Sequence, residues 1–114
     1  MAQNKKYDHI NFKPPTLVAL QAKRGLVLRA KFGHGGTSVG IARARDLKNR
    51  RVLSPRTITR MYSYFSRHFV DKQGKNFFNK EKPSKGYIAW QLWGGDAGAA
   101  WCHKIYLQIK QINN

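Results

Sequence analysis

The sequence predicts an all-α fold, one compact domain of about five helices with a helix-turn-helix-like central pair, and three observations carry that expectation. Apolar residues at Ile58, Met61, Tyr62, Phe65 and Phe69 follow the i, i+3, i+4, i+7, i+11 order of one helical face. Helix punctuation brackets the apolar runs. Thr37 with Ser38, Ser54 with Pro55, and Ser84 stand on the N-terminal sides, and Gly33 to Gly36 and the Gly94-Gly95 pair on the C-terminal sides. No stretch alternates apolar and polar residues over a useful strand length, and no segment repeats.

Taken in order, residues 1–14 are polar and mixed. They read as a basic N-terminal arm or loosely docked segment before a single helical domain over 15–114. After Pro14-Pro15, "TLVALQAKRGLVLRAKF" predicts a helix from about Pro15 to Phe32. Leu17, Val18, Gln21, Leu28 and Phe32 fall near one face of it, and Gly25, poor for a helix interior, is a point where a second helix can come close. "TSVGIARARDLKN" predicts a short, weakly amphipathic helix capped by Thr37 or Ser38, with Val39, Ile41, Ala44 and Leu47 inward. The Ser54-Pro55 start and the apolar stripe predict a third helix running to about Asp71, with Arg56, Arg60 and Arg67 off the stripe. Lys72 to Gly86 is a lysine-rich loop pinned by Phe77 and Phe78. Ser84 starts a fourth helix that Gly94 and Gly95 stop. Asp96 is then placed to cap a fifth, with Trp101, Ile105, Gln108 and Ile112 on one side.

The 114 residues fit one domain, and 41% hydrophobic with 12% aromatic content suffices for a core. Charge is the decisive quantity. Twenty-two Lys+Arg against five Asp+Glu give a net +17. Folding needs no such excess and self-repulsion opposes it, so a polyanionic partner is expected, nucleic acid ahead of an anionic membrane surface or an acidic protein. Solubility alone is reached with far smaller charge. The single Cys102 excludes an internal disulfide and fits a reducing compartment. No apolar run approaches the roughly 18 residues of a membrane span, and "MAQNKKYDHINFKPP" lacks the apolar segment of a signal peptide.

The candidate contact residues lie in the arginine-rich centre. "ARARDLKNRR" followed by "SPRTITR" places Arg43, Arg45, Arg50, Arg51, Arg56 and Arg60 on a helix, a turn and a second helix. In helix-turn-helix proteins the second helix begins with small polar residues and presents its first side chains to DNA. "LSPRTITRM" has that form, with Arg56, Thr57, Thr59 and Arg60 outward and Ile58 inward, although "NRRVLS" makes a longer turn than usual. A groove-reading helix, a basic surface touching only phosphates, and a merely solvated face all stay open. Lys75, Lys80, Lys82 and Lys85 would extend the basic surface.

Spacing builds no catalytic or metal site and implies no cofactor. His9, His34, His68 and His103 are scattered, and Cys102-His103 are adjacent rather than on one helical face. There is no Ser-His-Asp or Cys-His relay, and "GHGG" lacks the strand and the Lys-Ser/Thr of a phosphate loop. Asp46, Asp71 and Asp96 could converge on a divalent cation in a small nuclease. Asp46 more simply neutralises Arg43 or Arg50, and Asp71 suits a helix end.

"IAWQLWGGDAGAAW", Ile88 to Trp101, has three tryptophans and no base. It reads as a corner between two helices. The glycines turn the chain, Asp96 caps, the small residues from Ala97 to Ala100 allow close approach, and Trp101 packs back on Trp90 and Trp93. The rivals are a stacking platform for bases, which wants interleaved Lys or Arg, and a catalytic Asp96.

The runs "GGTSVGIARARDLKN", "LSPRTITRMYSYFSRHFVDK" and "PSKGYIAWQLWGGDAGAAW" together resemble a small domain of tailed bacteriophages. The similarity covers roughly Arg24 to Ile105, and its last run is the distinctive one. That family occurs alone or joined to phage head-maturation and structural proteins. The resemblance implies a viral context, in the host cytoplasm or the virion, and no particular reaction. The chain departs from the family pattern at its lysine loop and in its more basic N-terminal segment, and both departures strengthen the polyanion argument. The expectation is a helical phage protein that binds nucleic acid, double-stranded DNA above all, mainly through phosphates. The alternatives are a virion or capsid-associated protein whose basic face meets packaged DNA or an acidic partner chain, and a small metal-dependent nuclease. No membrane partner is expected.

Overall fold

Small side chains on the first helix set the architecture. In the computed structural model, which describes residues 5–73, 77, 79 and 81–113, helix α1 (Thr16–Phe32) buries Val18, Ala19, Ala22 and Gly25. A Cβ on Gly25 would stand 2.6 Å from the backbone nitrogen of Leu92, at the end of α4 (Lys85–Leu92). With nothing larger than valine on that face, α1 packs on α2 (Ser38–Lys48), on α4 and on α5 (Gly95–Asn113). The inward face therefore differs from the expected one. Leu17 is 65% exposed, because the face is chosen by how closely backbones can approach and not by the size of its apolar residues.

Helix α2 is capped by Thr37, whose Oγ1 accepts from the Gly40 N–H at 3.3 Å. It buries Gly40, Ala44 and Leu47, while Val39 lies outward. Helix α3 (Pro55–His68) begins as its sequence predicts, with Ser54 Oγ accepting from the Thr57 N–H at 3.1 Å and Pro55 in the first turn. Its buried residues are Ile58, Met61, Tyr64 and Phe65. Tyr62 is half-buried and stacks on Tyr106 of α5, and Phe69 is exposed. The α-helix gives way after His68 to a 3-10 turn, Phe69–Gln73, so it stops short of Asp71 and the apolar stripe rotates toward Tyr64. Helix α3 packs on α5 and more lightly on α4. Helices α2 and α3 follow each other across the connection 49–54 but do not pack together. The central pair is helix-turn-helix-like in order only, and a groove lies between its members.

From Lys5 onward the segment before α1 lies on the domain. Ile10 and Pro14 are buried, the Leu53 N–H donates to the Phe12 carbonyl at 3.0 Å, and the Tyr7 hydroxyl donates to Asn113 Oδ1 at 3.2 Å.

The tryptophan-glycine stretch is the corner between α4 and α5. Gly94 (φ 111°) and Gly95 (φ 65°) take left-handed conformations that an L side chain disfavours. Trp93 is buried and stacks on Tyr64 at 4.6 Å, and Trp90, also buried, meets Phe65 edge-on at 4.7 Å. Trp101 is half-buried at the margin of the core, away from these rings. One expectation is corrected. Asp96 does not cap α5. The Ala97 N–H is met from α1 by Gln21 Oε1 at 3.4 Å. Asp96 Oδ1 instead accepts from Trp90 Nε1 at 2.8 Å and from Lys72 Nζ at 2.9 Å. Burial alone would raise the Asp96 carboxyl, but these two hydrogen bonds and the Lys72 charge outweigh it and hold the group below its ordinary value. Burial pushes the Cys102 thiol up to about 12, so it is a protonated core residue.

Two predictions follow from this packing. Gly25→Ala should destabilise the protein by about 1–3 kcal/mol in urea unfolding, because the added methyl meets α4 backbone. Helix propensity alone has the opposite sign, up to ~1 kcal/mol in favour of Ala. A more stable variant would contradict the close approach. Asp96→Ala should cost about 1–3 kcal/mol by stranding the Trp90 indole N–H. Asp96→Asn keeps the acceptor and loses only an ion pair with an exposed carboxylate, worth about 0–1 kcal/mol. Since the folded carboxyl is depressed, its contribution is present above about pH 4 and is lost as pH falls through the folded value. The gap between wild type and Asp96→Asn should narrow as pH falls through the folded value; a gap that does not change with pH would rule the ion pair out as its source.

Candidate nucleic-acid interface

With one face of α3 committed to the core, the other is left to solvent. Arg56, Arg60, Ser63 and Arg67 recur at i, i+4, i+7 and i+11, which makes one stripe about 16 Å long on that outer face. The three arginines are exposed, and none has a carboxylate partner among the described residues. Thr57, half-buried at the helix start, accepts a hydrogen bond from Ser54 Oγ and belongs to the cap.

Beside the stripe runs the groove left between α2 and α3, with a volume of about 740 Å³. Arg60, Arg67 and His68 line it from α3, Thr37 and Val39 from the start of α2, and Lys85, Gly86 and Ala89 from α4. At its base a column of flat groups crosses the molecule. The Arg43 guanidinium lies 5.8 Å from the Trp93 ring, Trp93 stacks on Tyr64, and Tyr64 sits 4.5 Å from the His68 ring. His68 Nδ1 ends the column 3.2 Å from Asp71 Oδ2. Burial, with the Asp71 charge adding to it, raises the Tyr64 phenol above its ordinary value, so its hydroxyl stays protonated at neutral pH. The ring faces are occupied within the column. This favours the scaffold reading of Trp90 and Trp93 over a platform on which bases stack.

The arginines expected to act together are divided by the structure. Arg43 is turned inward, its side chain 14% exposed, with Nη1 at 3.2 Å from Asp46 Oδ2. Arg50 adopts a positive φ of 51° and donates from Nε to the Pro14 carbonyl at 2.8 Å, tying the turn to the N-terminal segment. Asp46 takes Arg43 and, at 3.8 Å, Arg51 as its partners and not Arg50. Arg45 and Arg51 are exposed around α2 and the turn, away from the groove lining. Lys82 and Lys85 are exposed, and Lys85 stands across the groove from the α3 stripe. Lys75 and Lys80 lie outside the described residues, as does Phe78; Phe77 is buried and does pin the loop. Arg67 and His68 join the cluster without having been singled out, although the i, i+4, i+11 spacing of the three α3 arginines was legible.

Asp46 pairs with Arg43 and Arg51, Asp71 lies against His68 and Asp96 pairs with Lys72, and no group of three or more His, Cys, Asp or Glu that could hold a metal ion occurs among the described residues. Among the described residues no helix is long and apolar enough to cross a membrane. No protein-family model, curated protein or solved structure matches the chain.

Proposed function

We propose that this protein binds nucleic acid, double-stranded DNA above all, mainly through phosphates, with the outer face of α3 as the contact surface. The observation that carries the reading is the stripe of Arg56, Arg60 and Arg67, joined across the groove by Lys85, all exposed and without carboxylate partners among the described residues, on a chain of net charge +17. Each phosphate neutralised releases a condensed counterion, so the charge excess that opposes compact folding favours binding. A rigid helix presents the guanidinium groups at fixed spacing, and guanidinium binds phosphate oxygens in a bidentate fork. Phosphate contact is favoured over base reading because α2 does not brace α3 as the first helix of a groove-reading pair does. Arg43 and Arg50 support the surface from behind, and Arg45, Arg51 and Lys82 add field without a shared face. The resemblance to a tailed-phage domain supports a place where phage DNA is handled, in the infected cytoplasm or in the virion.

Affinity for random duplex should fall with a log–log salt slope of about −4 to −8, as expected for roughly 5–9 neutralised phosphates. Arg56→Ala, Arg60→Ala and Arg67→Ala should each weaken binding uniformly across sequences and make the slope shallower by about 1. Each should change stability by less than ~0.5 kcal/mol, since the side chains are exposed. Gel shifts over a salt series, with melting curves on the same variants, measure both. A flat salt response, or a triple variant with unchanged slope, would contradict the proposal.

A further inference from the structure

The groove between α2 and α3 shares Arg60 and Arg67 with the stripe on α3 and extends inward from it, between the starts of α2 and α4. We infer that it takes a single nucleoside monophosphate unit. The inference rests on the nucleic-acid reading above and names the part of the ligand that enters the protein.

Size comes first. About 740 Å³ falls within the roughly 300–1,000 Å³ of small-ligand sites, and a duplex lying on the stripe does not enter it. Chemistry comes next. Arg60, Arg67, Lys85 and His68 line the walls. The single carboxylate there, Asp71, is already 3.2 Å from His68 Nδ1. Two helix starts also meet at the groove, α2 at Thr37 and α4 at Lys85. Their cap side chains satisfy the Gly40 and Tyr87 N–H groups, and the other first-turn N–H groups have no partner within their own helices. Helix N-termini carry partial positive charge, which adds to the Arg60, Arg67 and Lys85 charges in selecting an anion. The Ser63 hydroxyl, on the wall between Arg60 and Arg67, has no hydrogen-bond partner among the described residues and is available to a sugar or phosphate oxygen. The Thr59 hydroxyl is used on the Pro55 carbonyl, and the rest of the lining is largely apolar. Val39, Ala89 and the edges of Tyr64 and Trp93 offer a base a strip of contact without a stacking face. A bare anion would leave that strip unused, and a base without phosphate would leave the cations unused.

The same chemistry can come from a free nucleotide or from an unpaired nucleotide at a strand end, and calorimetry together with gel shifts separates them. The probes are thymidine monophosphate, thymidine, inorganic phosphate, a blunt duplex, and the same duplex with a short single-stranded overhang. The test variants are Ala89→Leu and Gly86→Leu, which fill the groove from α4. A Cβ on Gly86 meets nothing closer than 3.5 Å, so that position admits a side chain at Cβ, and melting curves on both variants check that they fold. The monophosphate should bind at least about tenfold tighter than thymidine or phosphate, and both variants should lose about tenfold while holding blunt-duplex affinity within about twofold. An overhang advantage that the variants erase assigns the site to strand ends; monophosphate binding without that advantage assigns it to free nucleotide. Wild-type protein that binds blunt duplex but not the monophosphate overturns the groove site and leaves the stripe standing. Monophosphate binding without duplex binding does the reverse. Equal affinity for phosphate and monophosphate, or variants that bind like wild type, also overturn it.

Discussion

The contact between the backbone of α1 at Gly25 and the backbone of α4 at Leu92 holds the molecule in register. It seats the end of α4 against α1, and the Gly94-Gly95 turn then sends α5 back along the same neighbour. Gln21 reaches from α1 to meet the first turn of α5, so one helix positions both arms of the corner. Trp90, on the last turn of α4, and Trp93, the residue that caps it, are thereby aimed at α3, where they meet Phe65 and Tyr64. The inner face of α3 is fixed by two tryptophans whose place is set by a glycine on another helix. Its outer face, with Arg56, Arg60 and Arg67, is fixed as a consequence.

Charge is distributed along the same lines. Asp46, Asp71 and Asp96 each hold a partner beside an aromatic group: Arg43 over Trp93, His68 against the Tyr64–Trp93 stack, and Lys72 over Trp90. Carboxylates are spent on the scaffold, and the α3 stripe is left without any. A protein with this allocation carries its self-repulsion at the surface, where a polyanion relieves it. The groove beside the stripe has the same character at smaller scale, with Arg60, Arg67 and Lys85 around a largely apolar base.

The helices were legible because local chemistry dictates them. Thr37, Ser54 and Ser84 cap where their positions before apolar runs predict, and the Gly94-Gly95 pair turns the chain. Which face turns inward was less legible. On α1 the largest apolar residues misled, since Leu17 is outside and Ala19 and Ala22 are inside; close helix approach rewards small side chains, and periodicity of hydrophobicity does not weigh that. Asp96 looked like a cap from its place after two glycines, but its partners, Trp90 and Lys72, come from other turns of the chain. The split among the arginines could not be read either. Arg43 and Arg45 are near neighbours in sequence, yet one lies over Trp93 and the other faces solvent, a difference decided by where α4 ends. The regular spacing of Arg56, Arg60 and Arg67 was visible, whereas the groove beside them exists only because α2 and α3 do not pack together.

The central claim is that α3 presents the surface on which nucleic acid lies. Backbone amide shifts recorded by NMR during titration with a short random duplex at low salt test it most directly. The account predicts that the largest changes run along α3 from Arg56 to Arg67 and at the start of α4 near Lys85, and that they diminish as salt is added. Changes concentrated on α1 or α5, with the α3 amides unmoved, would contradict it.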